Sequence, residues 1–326
     1  MIEVYKYTAE KLQEWNKFVL NAKNSTFMLD RGFVEYHKDR FSDYSLIIYE
    51  DKKIVALLPA NKSDENSIMS HSGLTYGGII IGKELKLISY LEVFKEILKF
   101  LNKNGISKLE IKLMPDFYTN IPSQEYQYAL FLVNSKRVRV DTALVIQQEN
   151  KLKYQDRRKR SIKKATRHNF NVKKDNNFMS FWNEILSPNL LSRFGVKPVH
   201  SLVEINLLAS RFPENISQVN IYENGEILAG ATIFETENVA HAQYISSNDF
   251  GRSSGALDLL FDEMINKIFL DKKIFDFGIC NEQGGFVINK GLLNWKEGFG
   301  GRTLVHEFHS VTTADYVLLD SVISSM

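Results

Sequence analysis

The order of predicted elements, which occurs twice, constrains the fold of this chain more than any other feature. Residues 43–62 contain two alternating apolar runs around a polar turn, a pattern that predicts a β-hairpin. Residues 217–236 repeat the pattern around Asn224-Gly225, and these two residue types accept the positive φ of a tight hairpin turn. We therefore expect two hairpins of the same kind, one in each half of the chain.

The elements that follow the hairpins also match. After each hairpin come a strand, a turn, an amphipathic helix (88–105 or 255–273) and a further strand. Each half also begins with a predicted helix, at 9–22 and at 155–168. A repeat of this length indicates duplicated domains rather than a solenoid.

The expected fold class is α/β of the α+β type. Helices that cross between strands of a mixed, largely antiparallel sheet give this architecture in each half. Residues 126–148 are expected to supply the last strands of the first domain. The predicted domains are therefore 1–150 and 151–326.

Charge is concentrated in one segment. Residues 151–174 hold 11 Lys or Arg against one acid, Asp156, while the rest of the chain has more acids than bases. A basic run of this kind suggests nucleic-acid binding, which would make residues 155–170 a non-catalytic binding module. Aromatic residues only flank the run, however, so a base-stacking platform and a DNA partner are not expected.

The cellular setting follows from what the sequence lacks. The lone cysteine, Cys280, excludes an internal disulfide framework and favours a cytoplasmic, reducing compartment. The sequence has no apolar run long enough to span a bilayer, so no membrane insertion is expected. The pair His306 and His309 lacks the spacing of a helical zinc motif and would face opposite ways in a strand, so no metal is expected.

Three segments, "RRKRSIKKATRHNFNV", "IFDFGICNE" and "LLNWKEGFGGR", occur in that order within residues 157–302. Together they resemble the tandem GNAT acyltransferase fold in its FemAB-like branch. The first half adds "STFMLDRGFVEYHKDRF", where Phe33 replaces a tryptophan and His37 stands where the family has a lysine. The resemblance implies an acyltransferase in which the first domain binds the acceptor and the second binds the donor.

The resemblance implies an acyl-CoA or an aminoacyl-tRNA as donor. We favour acyl-CoA, because Arg252-Ser253-Ser254-Gly255 nearly matches the phosphate loop of the GNAT fold and a helical tRNA-binding arm has no room in this chain. Small residues before a helix allow backbone N–H groups to approach a pyrophosphate, with Arg252 as its ionic partner. The alternative is an ordinary capped helix start. The implied acceptor is an amine or hydroxyl of an amino sugar or amino acid in envelope or polysaccharide precursors.

Candidate transfer residues lie on the strand 239–247. Strand alternation predicts that His241, Gln243 and Ile245 face one way and Ala242 and Tyr244 the other. Imidazole is a usual general base, so His241 is a candidate, with a structural hydrogen-bonding role as the alternative. The resemblance implies that Tyr244 protonates the leaving group and that a backbone N–H of this strand receives the thioester oxygen.

Four further side chains are expected near the predicted transfer site. The family places the lysine of the closing motif at the transfer site, so the resemblance implies that role for Lys296; a surface lysine is the alternative. Asp276 and Glu282 flank Gly278 and are alternatives to His241 as the base. Cys280 has no activating partner nearby in sequence and is expected to be buried.

Candidate acceptor residues lie in "SHSGLTYGGIIIG" of the first half. His71, Thr75 and Tyr76 occupy the position that corresponds to the transfer strand of the second half and can supply hydrogen bonds. His37 is the fourth candidate, from the loosely matching early segment. A plain glycine-rich turn is the alternative, and a chain that keeps the fold without catalysis is the alternative for the whole protein.

Overall fold

The computed structural model describes residues 1–324 and divides the chain into two compact units. Of the described residues, the first unit contains 1–141 and 305–324, and the second contains 142–304. The last segment thus packs with the first unit, whereas the sequence analysis assigned it to the second domain. The boundary near residue 150 stays a prediction of where two domains are joined.

The strands are numbered in chain order. They are β1 (Ile2–Lys6), β2 (Leu46–Glu50), β3 (Lys53–Leu58), β4 (Asn61–Lys62), β5 (Ser67–Ser70), β6 (Ile80–Ile81), β7 (Lys108–Lys112), β8 (Lys136–Gln147), β9 (Asn171–Lys174), β10 (Ile216–Glu223), β11 (Glu226–Glu235), β12 (Val239–Ser247), β13 (Ile274–Ile279), β14 (Asn281–Glu282), β15 (Val287–Ile288) and β16 (Arg302–Thr312).

The α-helices are numbered in the same way. They are α1 (Leu12–Asn21), α2 (Arg31–Val34), α3 (Leu87–Lys103), α4 (Glu125–Leu132), α5 (Asp156–Ala165), α6 (Phe178–Ser180), α7 (Ser187–Phe194), α8 (Leu202–Arg211), α9 (Asp249–Ser254), α10 (Ala256–Glu263), α11 (Lys290–Gly298) and α12 (Asp320–Ser324). π-Helical turns extend α6 at Phe181–Leu186 and α10 at Met264–Ile268. Within residues 1–324, none of these helices has the length and apolar character needed to cross a bilayer.

The first unit contains two sheets. One has the order β1-β2-β3-β6, and in the other β4, β5, β7 and β16 are neighbours in that order. Helix α3 buries its apolar face, including Leu91, Phe94 and Leu98, in the core of this unit. The hairpin β2–β3 turns at Asp51 and Lys52, both with positive φ, and confirms the first predicted hairpin.

The second unit contains one sheet in the order β8-β13-β12-β11-β10-β9 and a small β14–β15 hairpin. Neighbouring strands of the sheet are antiparallel except β12 and β13, which are joined by α9 and α10 and run parallel. The β10–β11 hairpin turns at Asn224 and Gly225, with φ of 51° and 90°. These features confirm the predicted hairpin and the predicted mixed sheet with a crossover helix.

Two local predictions were wrong, and a third segment has the form that was given as its alternative. The chain begins with β1, which pairs with β2, so the first half does not start with a helix. Residues 125–132 form α4 instead of a strand, because Ala129 and Leu130 pack into the core and a continuous apolar run suits either structure. Strand β5 ends at Ser70, and residues 71–79 form a loop before β6.

Candidate active site

The strands β12 and β13 separate soon after they begin. Only three residue pairs join them, ending with His241 opposite Asp276, and β13 continues beside β8 alone. The N–H of Asn248 points toward β11, where it donates to Leu228 O at 2.9 Å. Successive N–H groups of a strand point to opposite sides, so those of Ser247 and Ile245 point away from β11, toward the opening between β12 and β13. The opening therefore has peptide donors along one edge.

A β-bulge at Gln243 changes which side chains of β12 share a face. Thr232 of β11 lies opposite Tyr244 and Ile233 lies opposite Ala242, so Gln243 has no opposing residue. Ala242 and Ile245 both contact the core beneath α10. In a regular strand two residues three positions apart would face opposite ways. The predicted alternation was therefore wrong beyond Ala242, because the bulge adds one residue.

The bulge places Tyr244 on the same face as His241. His241 lies opposite Phe234, whose ring is close to His200, and the Tyr244 hydroxyl lies 2.6 Å from Nδ1 of His200. The N–H of His200 donates to the same hydroxyl at 3.0 Å, and Trp182 packs edge-on against the Tyr244 ring. Tyr244 is thus held in a defined position by His200 and Trp182.

His241 forms a buried pair with Asp276 at the point where β12 and β13 part. Nδ1 of His241 lies 2.8 Å from Oδ2 of Asp276, and Oδ1 of Asp276 accepts the N–H of Gly278 at 2.7 Å. A carboxylate partner favours the proton on Nδ1, which leaves Nε2 as the hydrogen-bond acceptor. This pairing gives His241 the form needed for a general base, with Asp276 as the residue that orients it.

Lys296 of α11 is buried beside this pair. Its Nζ donates to the carbonyl oxygens of Gly278 and Ile279, each at 2.9 Å, at the end of β13. Burial lowers the pKa of Lys296, and the nearby Cys280 and Asp276 oppose that shift. The side chain is only 2% exposed, so the alternative of a surface lysine is wrong.

The other two candidates near the end of β13 have different surroundings. Cys280 is buried, as expected, and burial raises the pKa of its thiol. Glu282 is exposed on β14, where Oε1 accepts from Asn289 at 3.0 Å. Of the two acids offered as alternatives to His241, Asp276 lies in the site and contacts His241 directly.

The predicted donor residues lie in α9 and at its junction with α10. The guanidinium of Arg252 donates to Ser247 O at 2.5 Å and forms an ion pair with Asp249, which is exposed. Ser253 is exposed and Ser254 is buried. Gly255 has φ of 88°, and a Cβ there would lie 2.5 Å from Ser161 O, so this glycine allows α5 to pack closely.

In the first unit, His71 and His37 lie close together and are both buried. Their ring centroids are 5.6 Å apart, and Nδ1 of His71 accepts the N–H of Gly73 at 3.2 Å. Burial lowers the pKa of His71 to about 4, and His37 adds to this shift. His71 is therefore a neutral hydrogen-bonding group near pH 7.

The other two acceptor candidates are placed differently. Tyr76 is fully buried and its hydroxyl donates to Oγ1 of Thr26 at 2.9 Å, whereas Thr75 is half-buried. His71 lines a pocket of about 360 Å³ within the first unit. The residues around that pocket are Lys6, Tyr7, Thr8, Ala9, Arg31, Val34, Glu35, Lys38, Phe41, Asp43, Tyr44, Ser45 and His71.

Two residues with unusual surroundings were missed by the sequence analysis. His200 lies in a loop with no motif around it, and only the fold brings it to Tyr244. Lys112 belongs to a strand whose alternating lysines look solvent-facing, yet burial lowers its pKa to about 8 and its Nζ donates to Leu74 O. Neither residue carries a signal in the sequence.

Solved structures of other proteins share the arrangement of strands and helices described above. The whole chain matches tandem GNAT-type structures, which confirms the predicted fold. FemX aligns at a TM-score of 0.64 and 11% identity, covering 98% of this chain and 99% of that one. L-PGS from Bacillus licheniformis aligns at 0.61 and 13%, covering 98% of each chain.

A tandem GNAT protein from the clavulanic acid biosynthesis pathway aligns at a TM-score of 0.51 and 7% identity, covering 96% of this chain and 99% of that one. No protein-family model matches the sequence, and no curated protein matches it. At these identities the likeness establishes the fold, and the chemistry has to be argued from the side chains.

Proposed function

We propose that the protein is an acyltransferase whose transfer site is the opening between β12 and β13. The observation that carries this proposal is the His241–Asp276 pair at the point where the two strands part. In the proposal His241 is the base, and the peptide donors of β12 beside it stabilise the oxyanion; direct acyl transfer uses both kinds of group. The acyltransferase class is also the one that the FemAB-like resemblance implies.

In the proposed reaction an amine or hydroxyl acceptor attacks the acyl carbonyl directly. Nε2 of His241 takes the acceptor's proton, while Asp276 stabilises the imidazolium that forms. The N–H groups of Ile245 and Ser247 and the charge of Lys296 stabilise the developing oxyanion. Tyr244 gives its proton to the leaving group and regains one through His200.

The favoured donor is an acyl-CoA, with its pyrophosphate at Arg252 and Ser253. Both side chains lie on α9, directly after the strand that carries His241 and Tyr244. Ser254 and Gly255 support this site through packing, since Ser254 is buried and Gly255 contacts α5. An aminoacyl-tRNA donor, as the FemAB-like resemblance implies, is the second candidate.

The acceptor is proposed to bind in the first unit, at the pocket beside His71 and near His37. Because Nδ1 of His71 accepts the N–H of Gly73, neutral His71 carries its proton on Nε2 and can donate one hydrogen bond to the acceptor. Thr75 and Tyr76 complete this acceptor group in the proposal. We propose an amino sugar or amino acid group of envelope or polysaccharide precursors as the acceptor and the cytoplasm as the setting of the reaction.

Coenzyme A is expected to stabilise the protein against unfolding. At a CoA concentration about 100 times Kd, the free energy of unfolding rises by about 2.7 kcal/mol. Thermal unfolding with and without CoA, together with turnover of acetyl-CoA on amino-sugar acceptors, measures binding and chemistry separately. In the Arg252→Ala variant the CoA-dependent shift should largely disappear.

Arg137→Ala is the matched control, because Arg137 also forms an exposed ion pair, with Glu307 at 2.9 Å, but in the first unit. It should keep the full shift. Absence of any CoA shift in the unaltered protein would contradict the acyl-CoA donor. Turnover of aminoacyl-tRNA in that case would favour the second candidate.

A further inference from the structure

Strand β16 carries two polar side chains that face a second pocket of the first unit. Glu307 and His309 are two positions apart in the strand, so they lie on the same face. Both line a pocket of about 450 Å³, together with Ser135, which directly precedes β8. The other residues around this pocket are Leu113, Gln127, Leu130, Phe131 and Asn134, and they differ from those around the His71 pocket.

The three polar side chains form one hydrogen-bonded series. The Ser135 hydroxyl lies 3.1 Å from Nδ1 of His309, and Nε2 of His309 lies 3.5 Å from Oε2 of Glu307. A carboxylate beside Nε2 favours the proton on that nitrogen, so Nδ1 is left to accept the O–H of Ser135. The series therefore runs from a hydroxyl through an imidazole to a carboxylate.

The carboxylate of Glu307 is held in place from its other side. Nη1 of Arg137 donates to Oε1 of Glu307 at 2.9 Å, which leaves Oε2 turned toward His309. The side chains of His309 and Glu307 are 15% and 26% exposed. Partial burial strengthens the interaction between imidazole and carboxylate, so the orientation of the His309 ring is well defined.

The position of Ser135 is set by the end of α4. Asn134 has a φ of 51°, and the N–H of Ser135 donates to Leu130 O at 2.9 Å, which closes a tight turn. Helix α4 is anchored in the core of the unit by Ala129 and Leu130. A packed helix end and a strand thus bring the hydroxyl and the imidazole together.

A hydroxyl bonded to a histidine that a carboxylate orients is the arrangement of an activated nucleophile. Nucleophile and base are usually about 2.6–3.2 Å apart, and the contact between Ser135 and His309 falls in that range. The longer contact to Glu307 is of a kind that tightens when substrate binds. The carboxamides of Gln127 and Asn134 line the same pocket and can donate N–H groups to an oxyanion.

The rest of the pocket is apolar and indicates the class of substrate. Leu113 and Leu130 are buried in its wall, and Phe131, which is 74% exposed, lies on its solvent side. Pockets of a few hundred Å³ with apolar walls and a few polar groups bind small organic molecules. An uncharged carboxylic ester with a short apolar acyl group fits such walls and presents a carbonyl to the hydroxyl.

We propose that Ser135, His309 and Glu307 form a second catalytic site, which hydrolyses small uncharged carboxylic esters. Oγ of Ser135 bonds to the ester carbonyl carbon while its proton passes to Nδ1 of His309. The ester C–O bond then breaks, and the alcohol leaves with that proton. Water attacks the resulting acyl-serine and gives its proton to Nδ1, which returns it to Oγ as the carboxylic acid is released. Glu307 is a positioning residue, and the site is independent of the proposed acyl transfer.

A fluorophosphonate tests the nucleophile in the full chain. Attack by Oγ of Ser135 on phosphorus displaces fluoride and leaves a phosphonate that mass spectrometry of peptides should locate on Ser135. His309→Gln should react at least about 10²-fold more slowly, because the base is lost. Ser135→Ala should leave the peptide that contains position 135 unmodified.

Ser310→Ala is the matched control. Ser310 follows His309 in β16, and strand alternation places it on the opposite face. This variant should be modified at Ser135 as fast as the unaltered protein. Thermal unfolding checks that each variant is folded.

Hydrolysis of p-nitrophenyl butyrate tests the role of Glu307. Glu307→Gln keeps an oxygen that can accept from Arg137 but has no charge to stabilise the imidazolium. Its kcat should fall by about tenfold or more while KM stays the same. A residue that only supported the fold would lower the free energy of unfolding instead.

Three results would overturn the proposal. The first is an unmodified Ser135 in the folded, unaltered protein under conditions that modify a known serine hydrolase. The second is modification of Ser135 at an equal rate in His309→Gln, which would make their contact a structural link between α4 and β16. The third is ester hydrolysis that Ser135→Ala retains in full, which would assign it to another site.

Discussion

Replacing His241 with glutamine is expected to lower kcat by about 10²–10⁴-fold, the usual contribution of a general base. Glutamine keeps a polar side chain of similar length but cannot take a proton. The substrate KM values should change little, because His241 acts on the proton of the acceptor and makes no ionic contact with the donor. Steady-state kinetics with acyl-CoA and the acceptor would measure both quantities.

Asp276→Asn tests whether the pair acts as one unit. Asparagine cannot stabilise the imidazolium, so kcat should fall, and the His241→Gln/Asp276→Asn double variant should be no slower than His241→Gln alone. Strict additivity of the two effects would contradict the pairing. Both variants have to remain folded, which thermal unfolding would show.

His168→Gln is the control for the effect of His241. His168 also lies next to a carboxylate, with Nδ1 at 3.2 Å from Oε1 of Glu223 on β10, and β11 separates that strand from β12. The His168 ring contacts Phe250 of α9. The kcat of His168→Gln should match that of the unaltered protein. A His241→Gln variant with unchanged kcat would exclude His241 as the base.

The sequence predicts the fold well where local and tertiary preferences agree. Asn224-Gly225 fixes its hairpin because both residues tolerate positive φ, and the amphipathic stretches 88–105 and 255–273 form α3 and α10. The prediction of secondary structure from sequence fails at residues 125–132, because an unbroken apolar run has no period that distinguishes a helix from a strand. Tertiary packing decides such a segment.

The candidate site was predicted in part. His241 and Lys296 were identified from pattern and resemblance, and the structure brings both to the end of β13 together with Asp276. The position of Tyr244 could not be predicted, because the bulge at Gln243 depends on how β12 pairs with β11. The contact between Tyr244 and His200 follows from that bulge and from the packing of a loop that no motif marks.

For the proposed acceptor residue His71, too, the sequence predicts less than the structure shows. A histidine in a glycine-rich segment is visible in the sequence, but its burial and its protonation state are not. His71 is 3% exposed and has the His37 ring beside it, so the structure makes it neutral over a wide pH range. This property leads to a measurable dependence of stability on pH.

The free energy of unfolding should fall by about 3 kcal/mol through His71 as the pH is lowered from about 6.5 to about 4. The pKa of His71 is lowered to about 4 in the folded protein, chiefly by burial, with His37, Arg31 and Lys112 adding to the shift and Asp43 opposing it. Between these pH values the unfolded chain binds a proton that the folded chain does not. Protonation therefore favours unfolding. The free energy of unfolding reaches its full value only at a pH above about 6.5, the pKa of His71 in the unfolded chain.

Urea unfolding at pH 7 and pH 4 would measure this loss in the unaltered protein and in His71→Asn. Asparagine can keep the hydrogen bond from the N–H of Gly73, now made at 3.2 Å to Nδ1, but it does not titrate. The variant should lose about 3 kcal/mol less than the unaltered protein between the two pH values. His168→Asn should retain the full loss, because it leaves His71 and its surroundings unchanged. Equal pH dependence in His71→Asn and the unaltered protein would show that His71 is not the buried neutral group on which the proposed acceptor pocket depends.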